Sequence, residues 1–166
     1  MSDSTERNIP PSVLQQHRRK VLKELHDCVE QNDVDHVQWM VKNNPPRWAL
    51  DGLESTDHRA GGYSSFYTAL MRAAYLDNHS IVRVLIEAKC SLEVHDPQVG
   101  NTALKLAVKG KSVRSIEYLI KAKADLNTRN TSILSSPTYL AAQNDNIEVL
   151  KPLLEDPAIL KIGQNI

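Results

Sequence analysis

The stretch TALMRAAYLDNHSIVRVLIEAKCSLEV, residues 68–94, returns twice further along the chain. TALKLAVKGKSVRSIEYLIKAKADLNT begins at Thr102 and SPTYLAAQNDNIEVLKPLLEDPAIL begins at Ser136, so the copies are equally spaced and align without gaps. A period of about 34 residues is typical of a stack of identical supersecondary units. Small or aliphatic residues recur at equivalent places, namely Ala73, Ala107 and Ala141; Val82, Ile116 and Leu150; Leu85, Leu119 and Leu153; and Ile86, Ile120 and Leu154.

Each copy predicts two short helices that are joined by a polar turn. In the first copy the apolar residues of 70–74 share one face of a helix, and those of 81–86 share one face of a second helix. The turn between them is Asp77-Asn78, with Lys111-Ser112 at the equivalent place of the next copy. Asn and Asp tolerate the left-handed backbone that such a corner needs. Since one helix pair cannot bury its apolar face alone, stacking of the pairs is expected to form the core.

A weaker fourth copy precedes the three regular ones. LHDCVEQNDVDHVQWMV, residues 25–41, aligns with residues 70–86, but its distance from the next copy exceeds the regular spacing. Upstream, the apolar stripe continues back to Val13, which predicts one long helix that begins after Ser12 as N-cap and covers the end of the stack. The extra length predicts a long insert loop at 43–66. Trp48 in this loop either packs on the second helix of the first repeat or is presented to a partner.

These copies resemble ankyrin repeats, whose pattern runs Gly-x-Thr-Pro-Leu-His-x-Ala-Ala and later Gly-Ala-Asp-Val-Asn. GNTALKLAV at 100–108 with KADLNTRN at 123–130 follows this pattern closely, and YTALMRAA at 67–74 and SPTYLAA at 136–142 follow it well. The resemblance implies an all-α ankyrin-repeat solenoid of stacked helix-turn-helix units with short hairpin loops. We predict a disordered N-terminus at 1–11 and a repeat domain at 12–166, with repeats at about 12–44, 63–96, 97–130 and 131–160.

The chain departs from the family pattern at several positions. The glycine between the helices is missing throughout, and Pro152 falls inside the last predicted helix, where proline ends or kinks a helix. These departures predict a stack that is less stable than one built from the family pattern. The apolar C-terminal stretch 157–166 is expected either to cover the open end of the core or to contact a further repeat.

Composition excludes several classes of protein. Lys+Arg and Asp+Glu both count 20, so the net charge is zero, which argues against a chain that mainly neutralises nucleic-acid phosphates. Cys28 and Cys90 match neither a disulfide framework nor a zinc spacing, and we predict that both are buried and reduced. The N-terminus has no apolar signal region and the chain has no apolar run long enough to span a bilayer, so we expect no membrane span and a cytoplasmic and/or nuclear location.

No catalytic motif stands out. The sequence holds no GxxxxGK[ST], GxGxxG, GxSxG or HExxH, and its six histidines are dispersed over different repeats. We therefore predict that the chain is not an enzyme, takes no cofactor and holds no metal site. Ankyrin stacks offer an open concavity rather than a pocket that excludes water, which favours binding over catalysis.

The resemblance places the recognition surface on the concave face, which the hairpin tips and the exposed sides of the first helices form. Tyrosines are the candidate anchors, because a tyrosine buries a large area at low rotamer cost and keeps a polar tip. The alternative for each tyrosine is packing between repeats. Transferred position by position, the predicted partner-binding residues are Tyr67, Met71, Tyr75, Gln98, Asn101, Lys105, Lys109, Tyr139 and Gln143, with Trp48 from the insert loop.

Charge is concentrated in the third repeat. Residues 97–130 carry seven Lys or Arg side chains against two carboxylates, and Lys105 and Lys109 are four residues apart on one helix. An acidic segment of a partner protein is expected to dock there. The alternative is a basic face that only meets solvent.

The predicted function is a non-enzymatic protein–protein interaction module that binds a partner protein or peptide on its concave face. The alternative is an N-terminal domain that recruits substrates to, or targets, a larger multidomain enzyme or signalling protein. Nucleic-acid binding through the basic third repeat is disfavoured by the zero net charge.

Overall fold

The computed structural model describes residues 10–43, 47–55, 66–128, 136–143 and 146–155. Helices dominate these ranges, and a short antiparallel ladder is the exception. The helices are α1 (Pro11–Glu30), α2 (Val34–Lys42), α3 (Arg47–Leu50), α4 (Ala69–Tyr75), α5 (His79–Glu87), α6 (Ala103–Gly110), α7 (Val113–Lys121), α8 (Pro137–Gln143) and α9 (Ile147–Leu154), and the strands are β1 (Glu54–Ser55) and β2 (Phe66–Tyr67).

The helices form two rows. α1, α4, α6 and α8 follow one another in the first row, and α2, α5, α7 and α9 follow one another in the second. Each helix contacts the next helix of its row and its own partner in the other row, which confirms the predicted stack of helix pairs. Ala73, Ala107 and Ala141 are buried at equivalent places of the first row, where a small side chain lets neighbouring helices approach closely.

The corner between the two helices of a pair is left-handed, as predicted. Asn32, Asp77 and Lys111 have φ values of 54°, 58° and 59°. A second left-handed residue follows the second helix in two repeats, at Lys89 and Lys123, with φ values of 61° and 68°. A residue with a Cβ in this conformation costs roughly 1–2 kcal/mol, less for Asn and Asp. Stacking therefore sustains these corners without the glycine that the family pattern places there.

Polar side chains join one repeat to the next beside the apolar core. Asn78 Nδ2 donates to the carbonyl oxygen of Val29 at 2.6 Å, which joins the first and second repeats. Ser112 Oγ donates to the carbonyl oxygen of Tyr75 at 3.1 Å. Asp77 Oδ1 accepts from both the backbone nitrogen and the hydroxyl of Ser115, at 3.1 and 2.8 Å. These bonds fix the register of each repeat against its neighbour.

The N-terminal helix differs from the prediction at its start. α1 is one long helix, as expected, but it begins at Pro11, so Ser12 lies within the helix and is not its N-cap. Proline suits the first helical position because its φ is preset and its missing N–H would have no partner there. Residues 1–9 of the predicted disordered N-terminus lie outside the described residues, as does the C-terminal stretch from 156 onward.

Part of the segment predicted as a loop is regular structure. α3 contacts α1, and β1 pairs with β2 so that Glu54 lies opposite Tyr67. An added Cβ at Gly52 would lie 2.6 Å from the carbonyl oxygen of Trp48 and 2.4 Å from Leu22 Cδ2, so this position in the insert has room only for a glycine. Ser91 donates its backbone N–H to Asp51 Oδ1 at 2.7 Å, which ties the insert to the second repeat. Residues 44–46 and 56–65 lie outside the described part of the chain.

Both cysteines are buried as free thiols, as predicted from the apolar periodicity. Burial, reinforced by the nearby carboxylate of Asp33, raises the pKa of the Cys28 thiol. A buried thiol with a raised pKa is chemically inert and acts as a small apolar side chain.

Candidate protein-binding surface

One position in the last turn of each regular first helix stays exposed. Tyr75, Lys109 and Gln143 occupy it in α4, α6 and α8, at the same register of the repeat, and all three are exposed. In contrast, all residues from 103 to 108 of α6 are buried. The repeat register thus brings three of the predicted residues to one edge of the first row. With Tyr139, which is 56% exposed on α8, they form what we call the first-helix surface: Tyr75, Lys109, Tyr139 and Gln143.

Two residues that were predicted to be exposed on the same helices are buried. Met71 and Lys105 stand one helical turn before Tyr75 and Lys109, and their relative exposures are 1% and 0%. Met71 instead closes the first turn of α4: its backbone N–H donates to Thr68 Oγ1 at 3.2 Å, and its sulfur accepts from the Thr68 N–H at 3.4 Å. The equivalent Tyr139 is exposed, so the same repeat position differs in exposure between repeats.

The burial of Lys105 changes the predicted basic face. Burial lowers the pKa of the Lys105 ammonium, and the neighbouring positive charge of Lys109 lowers it further, while the carboxylates of Asp125, Asp96 and Glu93 oppose the shift. The enclosed ammonium cannot reach an acidic partner. The prediction that Lys105 and Lys109 act as an exposed pair is therefore wrong, and Lys109 alone presents its charge at this point.

The hairpin before α6 is held by a buried carboxylate. Asp96 accepts backbone N–H bonds from Gln98 at 3.0 Å, Val99 at 2.7 Å and Asn101 at 2.8 Å. Burial works against ionisation of Asp96, but these N–H donors outweigh it and hold its pKa below the usual value. Gly100 completes the turn with a φ of 78°. The carboxylate thus shapes the hairpin backbone that carries the predicted residues.

The hairpin presents only one of its two predicted contact residues. Gln98 is exposed near the tip, whereas Asn101 is 3% exposed, so the expectation of an exposed Asn101 is wrong. Its amide oxygen accepts from Lys109 Nζ at 3.0 Å. The buried amide therefore orients the lysine of the first-helix surface, and two of the ammonium's three protons remain available to other acceptors.

Tyr75 is positioned by an ion pair between two repeats. The Arg72 guanidinium binds the Glu30 carboxylate through both its Nε and its Nη2, the latter at 3.0 Å from Oε2. Its central carbon lies 5.7 Å from the centre of the Tyr75 ring, within the range of a cation–π contact. Sequence reasoning missed this pair because 42 residues separate its members.

The two remaining predicted residues, Tyr67 and Trp48, are half-buried. Tyr67 belongs to β2 and lies beside the N-cap of α4. The Arg18 guanidinium stands 5.2 Å from the centre of the Trp48 ring, so the observed contact of Trp48 is with α1. This contact joins Trp48 to the first helix, while its packing on the second helix and its presentation to a partner stay predictions.

Metal ligands do not cluster in the described part of the chain, where no group of three or more His, Cys, Asp or Glu side chains could hold a metal ion. No helix among the described residues is long and apolar enough to cross a membrane.

A family model for ankyrin repeats, in three copies, matches residues 25–130. The chain belongs to the ankyrin repeat family, and its stacked helix pairs have the architecture of that family. Ankyrin repeats are generally protein–protein interaction modules and are typically non-enzymatic.

Relatives share this segment at moderate identity. An ankyrin repeat protein of fowlpox virus (strain NVSL) is 29% identical over 98 residues, which is 59% of this chain and 29% of the viral protein. The mouse ankyrin repeat and SOCS box protein 6 is 30% identical over 104 residues, 62% of this chain and 25% of its own length. The human transient receptor potential cation channel subfamily A member 1 is 39% identical over 71 residues, 42% of this chain and 6% of the channel. The matched segment is thus a minor part of each relative.

Proposed function

We propose that this chain binds a partner protein on its first-helix surface. The observation that carries the proposal is the exposed row of Tyr75, Lys109 and Gln143 at equivalent places of three stacked repeats. A row of this kind offers an extended partner one contact per repeat. Two tyrosines of the first-helix surface, Tyr75 and Tyr139, supply the apolar area that interface hot spots need.

The chemistry of the row specifies the partner further. The Lys109 ammonium, oriented by Asn101, favours a carboxylate on the partner. Tyr75 is held by Arg72 and therefore loses little conformational freedom on binding. We infer that the partner presents a segment with an acidic residue near Lys109 and apolar side chains against the tyrosines.

Site-directed photocrosslinking tests this assignment. A photoreactive phenylalanine analogue placed at Tyr75 is expected to capture a protein from cell lysate, and adding Lys109→Glu is expected to reduce the yield severalfold. The matched control carries the same analogue at Arg83, which is exposed on α5 in the second row of helices. Equal capture of the same protein from both positions, or a yield that Lys109→Glu leaves unchanged, would refute the proposed surface.

A second role is favoured by the lengths of the relatives, in which the matched segment is between 6% and 29% of the protein. In this role the repeats recruit a substrate to, or target, a larger multidomain enzyme or signalling protein, in the cytoplasm and/or nucleus. An immunoblot of the native source with an antibody against the repeats separates the two roles. A product well above 18.6 kDa is expected for the recruiting role, and a product at 18.6 kDa contradicts it.

A further inference from the structure

The N-terminal half of α1 presents a surface that the other first helices lack. α1 has 20 residues, whereas α4, α6 and α8 have seven, eight and seven. At 1.5 Å per residue, the additional twelve or thirteen residues lengthen the helix by about 18–20 Å. Residues 11–20 are exposed except for the half-buried Leu14, so this part of α1 contributes little to the core.

The exposed half of the helix is strongly basic. We call Arg18, Arg19, Lys20 and Lys23 the basic face of α1; all four are exposed, and no Asp or Glu occurs between residues 10 and 23. Lys23 lies three and four residues after Lys20 and Arg19, so these three side chains leave the helix on one side. Among the described residues, no carboxylate lies within ion-pair distance of the four cations.

Two of the three carboxylates further along the helix are engaged elsewhere. Glu24 Oε1 lies 3.2 Å from His36 Nε2, and Glu30 binds Arg72. These two therefore join α1 to α2 and α4, and the exposed Asp27, four residues after Lys23, is a single carboxylate beside four cations.

Charge is segregated along α1. The four cations stand at the eighth to thirteenth residues of the helix, and the carboxylates of Glu24, Asp27 and Glu30 follow them. The cations lie more than one turn from either end of α1, so the helix macrodipole does not account for their placement.

Contact with the insert orients one of the cations. Arg18 stacks at 5.2 Å over the Trp48 ring, and Gly52 brings the same insert against Leu22. A guanidinium over an aromatic face still has N–H groups for paired bonds to a carboxylate. The insert thus prepares Arg18 for an acidic group in solvent.

We propose that the basic face of α1 docks an acidic polypeptide segment, as a second contact site that does not depend on the first-helix surface. A bilayer is a poorer occupant, because the apolar side of α1 is buried in the stack at Leu25 and Val29 and cannot insert. A nucleic acid is also poorer, because its phosphates would continue past Lys23 onto Glu24 and Asp27 in a chain of zero net charge. A short run of carboxylates matches the length of the basic face.

Fluorescence anisotropy with a labelled deca-glutamate peptide tests this site. The triple variant Arg19→Glu, Lys20→Glu, Lys23→Glu is expected to weaken binding by at least about tenfold, equivalent to about 1.4 kcal/mol. The control variant Arg83→Glu, Lys89→Glu, Lys121→Glu makes the same change in charge at exposed positions elsewhere and is expected to stay within about twofold of the original affinity. Tyr75→Ala, which removes an anchor of the first-helix surface, should leave peptide binding unchanged.

The remaining outcomes are equally decisive. Equal weakening in both triple variants would show attraction by overall charge and overturn the site. Tighter binding of a short DNA duplex, or of vesicles that mix phosphatidylserine with phosphatidylcholine, would overturn the assignment of the partner. The new carboxylates at positions 20 and 23 stand four residues before Glu24 and Asp27, and such like-charge pairs destabilise a helix slightly, so the α1 variant should melt only slightly below the original temperature. A large drop in melting temperature would give the cations a structural role and contradict the proposal.

Discussion

The two central repeats and the N-terminal repeat are both helix pairs with a left-handed corner, but the N-terminal repeat departs further from the regular repeat structure. In the centre, left-handed residues recur one repeat apart at Asp77 and Lys111, and again at Lys89 and Lys123. The N-terminal repeat has the left-handed corner at Asn32 and accepts the hydrogen bond from Asn78 at Val29. Its first helix, however, has 20 residues, and the insert packs against this helix. Stacking therefore fixes the corner and the face shared with the next repeat, while the chain beyond that face is free to vary.

This freedom separates two kinds of surface. Tyr75, Lys109 and Gln143 of the first-helix surface share a position that the repeat register itself exposes, whereas the basic face of α1 lies on a segment that the register does not need. Substitutions at buried positions of the central repeats should therefore lower the free energy of unfolding. Substitutions in the extension of α1 should mainly affect binding.

The largest effect is expected at Lys105. Lys105→Glu places a carboxylate in a fully buried position that faces Asp125, Asp96 and Glu93, and a buried charge without its counterpart typically costs about 3–5 kcal/mol. The control Lys109→Glu reverses the same charge one turn later at an exposed position and loses the bond to Asn101, which should cost about 1 kcal/mol or less. Urea unfolding measures both changes, and equal losses would contradict the assignment of Lys105 to the core of the stack.

The contrast between Lys105 and Lys109 also shows what the sequence could predict. The fold followed from the regular period of the copies, because stacked identical units repeat their apolar positions whatever their polar residues are. The exposure of individual side chains could not be predicted from the period. Periodicity identifies the apolar face of one helix but does not show which side chains the adjacent helix covers. Met71 and Lys105 are therefore buried where Tyr139, their equivalent, is exposed. Arg72 and Glu30 were missed for a related reason, since only stacking brings them together.

The stability of the N-terminal repeat should decrease at acidic pH because of His26. This side chain is buried in α1, and among the described residues neither ring nitrogen has a hydrogen-bond partner. Burial lowers the pKa of His26 from 6.5 to about 4; Arg72 also lowers it, while Glu30 and Asp27 oppose the shift. Between these pH values the unfolded chain binds a proton that the folded chain does not, so stability is lost as the pH falls. From pH 7 to pH 5 the loss should be about 2 kcal/mol.

Replacement of His26 isolates this contribution from the other titrating groups. His26→Met keeps a side chain of similar size without a titrating ring, so its stability should fall by about 2 kcal/mol less than that of the original protein between pH 7 and pH 5. Urea midpoints at the two pH values give the comparison. Identical pH dependence in the two proteins would show that the N-terminal repeat does not enclose His26 as tightly as the central repeats enclose their cores.

The smallest effect tests the left-handed corner that the N-terminal and central pairs share. Lys111 has a φ of 59°, where glycine avoids the steric cost that a Cβ incurs, so Lys111→Gly should stabilise the stack by about 0.5–1 kcal/mol even though glycine loses more entropy on folding. Lys121→Gly makes the same change at the last residue of α7, where the right-handed helical backbone favours a residue with a Cβ, and should destabilise the stack by less than about 1 kcal/mol. Opposite shifts in melting temperature are therefore expected from one substitution at two exposed lysines. If both variants melt lower, the left-handed corner carries no strain, and the loss of the family's glycine has cost this stack nothing.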